Sequence, residues 1–118
     1  MATDGIVILC AVPLDFEAED LARDLLNASL AACVQVSPSV TSIYRWKGAI
    51  EKSEEKLLVI KTRRELFSSV EAVIRSKHPY DVPKIVAWPL SDGHAPYLAW
   101  LAGETAAALT SRSDSRAE

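Results

Sequence analysis

"IVILCAV", residues 6 to 12, is the stretch that most restricts how this chain can fold. In a strand, successive side chains face opposite ways. Here both alternating sets are apolar: Ile6, Ile8, Cys10 and Val12 on one side, Val7, Leu9 and Ala11 on the other. A strand of this kind must be covered on both faces. The run is seven residues long and Pro13 stops it, so it is too short to span a bilayer or to form the core of a secretory signal. Neither a membrane nor nucleic acid is expected as a partner, since the formal net charge is −3 and a phosphate backbone calls for a basic surface.

The rest of the chain supplies cover for one face. Asp15 is placed to cap a helix in which Ala18, Leu21, Ala22, Leu25 and Leu26 make an apolar stripe. Residues 31 to 46 read as one long strand kinked near Ser37-Pro38, because proline cannot join the ladder. Lys47-Gly48 supplies a turn. Residues 50 to 62 return as a second long strand, with an irregularity expected in the charged "EKSEEK". Leu66, Phe67, Val70, Val73 and Ile74 repeat at helical spacing through residues 64 to 77. "HPYDVPK" then turns the chain into a strand that ends near Trp88, and Pro96 opens a third helix, "YLAWLAGETAAAL". The order is βαββαβ with a C-terminal helix, an α+β pattern of the ferredoxin-like type. Residues 1 to 110 are read as a single domain, and the polar residues 111 to 118 as a disordered tail.

This arrangement leaves a debt. The two main helices lie on one face of the sheet, and the other apolar face needs a partner. The expected cover is another copy of the chain. The two long strands also exceed the usual strand length of about 5–6 residues, so their hairpin must project beyond the sheet. Its tip carries Tyr44 and Trp46. With Tyr80 and Trp100, these aromatics are the expected anchors of the interface between copies.

Topology brings the end of the first strand to the start of the last, so Cys10, His78 and Tyr80 share one edge. Two readings of that edge stand side by side. Thiolate and imidazole together would suit copper or zinc. Alternatively, Cys10 is a core residue and a protonated His78 caps the second helix at its negative end. Two ligands fall short of the four of a closed structural site. His94 lies in a polar turn and is read as solvated, and Cys33 as core at the opposite end of the domain. Lys61-Thr62-Arg63 could hold an anion at a helix start, or could be a solvated helix entry. No Gly-rich phosphate loop and no GxSxG motif is present, and no third group stands by a Cys10–His78 pair, so no catalysis is expected. Both cysteines fall in apolar runs and are read as reduced, which points to the inside of a cell.

"AACVQV", "TSIYRWKGAIE", "IKTR", "HPYDVPKI" and "YLAW" follow one another in an order and spacing that resembles the CutA family of divalent-cation tolerance proteins, from about Val7 to Trp100. The resemblance implies a ferredoxin-like subunit, a tight homotrimer similar to that of the PII signalling proteins, a cytoplasmic location in bacteria and no established enzymatic activity. It implies a relation to copper and other divalent cations, with Cys10 and His78 at the positions of a cysteine and a histidine proposed as copper ligands in some members. Lys77 stands where those members carry the first of two adjacent histidines. Gln35 replaces the usual Asn or Thr, and Lys84 replaces a common Glu. The PII likeness also admits a second function, a sensor trimer that takes a small anion or nucleotide in the clefts between subunits.

Overall fold

The computed structural model describes residues 3 to 110. The chain runs β1 (Gly5–Pro13), α1 (Ala18–Asn27), β2 (Cys33–Val36), β3 (Val40–Trp46), β4 (Ala49–Arg63), α2 (Phe67–Lys77), β5 (Ile85–Pro89) and α3 (Ala95–Glu104), with a short 3-10 turn at Arg64–Leu66 before α2. All strands join one sheet of order β2-β4-β1-β5, and β3 extends the β2 side of β4. Every pairing is antiparallel. This is the ferredoxin-like arrangement that the element order predicts.

β1 sits between β4 and β5, as its composition demands. Ile8 lies opposite Ile60 and Cys10 opposite Leu58, and all four side chains are fully buried. With Ile6 and Val12 they face α1 and α2, whose Leu21, Leu25, Val70 and Ile74 complete the core. The helical stripes are therefore the cover for one face. Thr62, also fully buried on this side, donates its hydroxyl to the carbonyl of Leu30 at 2.7 Å and ties β4 to the end of the α1 connection.

Several local expectations are corrected. Asp15 does not cap α1: the N-cap is Glu17, with no side-chain hydrogen bond. Residues 31 to 46 are two strands, because Ser37-Pro38-Ser39 interrupts the ladder. Val36 pairs with Leu58 and Val40 with Glu55, so three residues on one side face two on the other. The irregularity thus lies at the proline, which has no N–H to give, and "EKSEEK" runs straight through the 15-residue β4. Ser37 compensates: its amide donates to the Leu57 carbonyl and its hydroxyl accepts the Leu57 amide, both at 2.8 Å. Lys47 and Gly48 both have positive φ, the signature of the two-residue turn that matches strand twist.

The second face of the sheet is partly covered within the subunit. α3 packs on β4 and β1 from that side, with Lys61 over the Tyr97 ring at 5.8 Å. Arg63 fastens it, donating from Nε to the Thr105 hydroxyl and from Nη2 to the Ala102 carbonyl. Val7 is buried there, while Val86 and Trp88 beside it are each 47% exposed. The expectation of a disordered tail at 111 to 118 lies outside the described residues.

Replacement of Leu58 by Ala should destabilise the fold by about 2–5 kcal/mol, since its side chain is fully enclosed between β1 and the helices. Leu26→Ala, at a position 41% exposed, should cost under about 1 kcal/mol. Urea unfolding of the two variants checks the ranking.

Candidate functional site

The edge where β1 ends and β5 begins is built by the turn after α2. The His78 amide donates to the Ile74 carbonyl at 2.8 Å and closes the helix. Its backbone is extended, so the ring leaves the helix axis and crosses to β1. There Nε2 lies 2.7 Å from the carbonyl oxygen of Ala11, while Nδ1 accepts the amide hydrogen of Tyr80 at 3.1 Å. A carbonyl can only accept and an amide can only donate. The two partners therefore fix a neutral imidazole with its proton on Nε2. His78 does not cap α2 as a cation, which corrects one of the two sequence readings. The residue is 8% exposed, and its ring meets those of Phe16 (6.0 Å) and Tyr80 (4.7 Å).

Cys10 approaches the same carbonyl. Its Sγ lies 3.8 Å from the Ala11 oxygen. The side chain is fully buried, and its thiol is pushed up to about 12, chiefly by burial, with Glu55 adding to the rise and Lys84 opposing it. Cys10 and His78 are thus brought to one place, as topology required, but each presents a hydrogen to it.

Tyr80 closes the turn on the far side. Its hydroxyl reaches Oε2 of Glu55 at 3.3 Å. Glu55 is 7% exposed although charged, and it went unnoticed in the sequence because it lies within a run of exposed charges. Its position opposite Pro13 on the ladder, which folds it under the turn, is the feature that sets it apart. Burial raises the Tyr80 hydroxyl above its ordinary range, and the carboxylate of Glu55 adds to that. Lys77, in place of a histidine, pairs with Asp24 and links α2 to α1.

Other candidates stay apart. His94 is exposed at the N-cap of α3. Cys33 is half-buried and lies opposite Lys61, at the other end of the sheet. Lys61, Thr62 and Arg63 point to different partners, Gln35, Leu30 and α3 respectively, and do not converge on an anion. Tyr44 and Trp46 are 44% and 45% exposed on the hairpin, and Trp100, also 45% exposed, stands 5.5 Å from Tyr97. Among the described residues, no group of three or more His, Cys, Asp or Glu could hold a metal ion, and no helix is long and apolar enough to cross a membrane.

Residues 6–104 match the CutA1 divalent ion tolerance protein family. The chain is 47% identical over 89 residues to "Protein CutA homolog" of Xenopus laevis, a match that covers 75% of this chain and 59% of that protein. It thus spans well under two thirds of that relative's length. It is 41% identical over 99 residues to "Divalent-cation tolerance protein CutA" of Thermus thermophilus, covering 84% of this chain and 96% of the relative. Among solved structures, CutA1 from Oryza sativa superposes with a TM-score of 0.83 at 36% identity, covering 88% of this chain and 95% of the other.

The raised thiol has two measurable consequences. Cys33 should react with a thiol reagent in the native protein, and Cys10 only after unfolding. Between pH 9.0, where an unperturbed thiol loses its proton, and about 12, the unfolded chain binds fewer protons at Cys10 than the folded one. Stability should therefore fall as pH rises through that window. Cys10→Ala should flatten the fall, as read from denaturation midpoints at pH 8 and about pH 10.5.

Proposed function

This chain belongs to the CutA1 divalent ion tolerance family, and from that premise we propose that it is a non-catalytic divalent-cation tolerance protein that works as a homotrimer. The observation that carries the reading is the apolar surface the subunit leaves open. Ile43 and Ile50 on the hairpin are 69% and 70% exposed, and Tyr44, Trp46, Val86 and Trp88 are close to half exposed. The outer part of β4, Ala49 to Glu54, pairs with β3 alone. A two-stranded ribbon is marginal in water unless something packs on it. Further copies of the chain supply that cover, and the three-fold number follows from the family resemblance.

The lack of catalysis rests on the chemistry of the edge. Cys10 is a buried thiol that keeps its proton at neutral pH, and both nitrogens of His78 are taken. Neither can serve as nucleophile or base in that arrangement. Copper heads the divalent affinity order and is the ion expected to bind most tightly to the donors of the assembly. Cys10 and Cys33 are both free thiols, the state that a reducing cytoplasm maintains.

Sedimentation of wild type at low micromolar concentration should give a trimer, and a folded monomer that persists there contradicts the proposal. Trp46→Ala should weaken assembly by about 30-fold or more, the equivalent of about 2 kcal/mol for a central aromatic anchor. Deletion of residues 111 to 118 should leave assembly unchanged.

A further inference from the structure

We propose that His78 is a closed hydrogen-bonded clasp that fastens the 78–84 turn to the end of β1, and that Cys10 and His78 are not a copper site in this chain. A divalent ion needs lone pairs. At this edge Sγ and Nε2 both approach one oxygen, that of Ala11, and the side of each that meets it carries hydrogen. The remaining lone pair of the ring, on Nδ1, is held by the Tyr80 amide. An ion could take it only by leaving that backbone donor without a partner in a part-buried turn. The thiol offers no easier entry, since its side chain is fully buried and its sulfur is turned to the Ala11 carbonyl. A third ligand is also missing. Lys77, where a second histidine would stand, is turned toward Asp24 on α1. The donor set therefore does not fit the ion, and what it does fit is mechanical. His78 joins α2, β1 and the turn through three bonds: its own amide to Ile74, its ring to Ala11 and the Tyr80 amide to its ring.

The test begins on the wild-type protein and is completed with two single variants. Nitrogen-15 correlation of the histidine rings should show His78 as the neutral tautomer protonated on Nε2. One equivalent of copper(II) should broaden exposed groups such as His94 while the His78 ring and the backbone around Cys10 keep their signals. Copper affinity of Cys10→Ala should stay within about twofold of wild type. In His78→Ala, hydrogen exchange at the Tyr80 amide should accelerate by about tenfold or more as the turn loosens. Loss of the His78 signals at the first equivalent of copper, together with a tenfold or greater loss of affinity in Cys10→Ala, would overturn the clasp and restore the pair as ligands. Unchanged Tyr80 exchange in a folded His78→Ala variant would overturn the mechanical role.

Discussion

β1 has apolar side chains on both faces, so it is satisfied only at the centre of a sheet that is covered twice. That requirement orders the subunit. β4 and β5 flank β1 and pair its backbone on both sides. α1 and α2 close the face that holds Ile8, Cys10, Leu58 and Ile60. α3 covers the other face near Val7 and Lys61, held there by Arg63 through Thr105 and Ala102. Val86 and Trp88, on the ladder opposite Leu9 and Val7, are the part of that face left open. The projecting hairpin continues the open surface. Exposed isoleucines and aromatics in these places are the kind of patch that proteins keep for a partner.

The crossing from α2 to β5 shows the same economy at smaller scale. Pro79 and Pro83 limit the turn's conformations, but they donate no amide hydrogens of their own. The turn is held instead by side chains at its ends: His78 to β1, and Tyr80 to Glu55 on β4. Lys77 braces the helix from outside through Asp24. A histidine in such a turn invites a reading as a ligand. Its partners give it a different task, because a ring that donates on one side and accepts on the other is already complete.

The element order was legible because hydrophobic period changes between 2 and 3.6 are strong over β1, α1 and α2. The convergence of Cys10 and His78 was legible too, since it follows from topology alone. Other features were hidden for identifiable reasons. Pro38 signalled a kink, but whether the extra residue sat there or in "EKSEEK" depended on ladder register, which neither strand encodes by itself. Asp15 has the right chemistry for a cap, but the chain uses it in the turn and starts α1 later. Glu55 is one acid in a charged run, and only its place under the turn distinguishes it. The direction of the protons at Cys10 and His78 was out of reach of residue types. It depends on a backbone oxygen, that of Ala11, to which both side chains point.

Amide hydrogen exchange as a function of protein concentration is the most direct test of the claim that the open face and hairpin are covered by further copies. Amides of β3 and of the outer half of β4 should be strongly protected at about tens of micromolar and lose protection together on dilution below the assembly range, while those of Ile8 to Val12 keep theirs longest. Hairpin amides that exchange at the rate of an unstructured peptide at every concentration, with β1 fully protected, would contradict it.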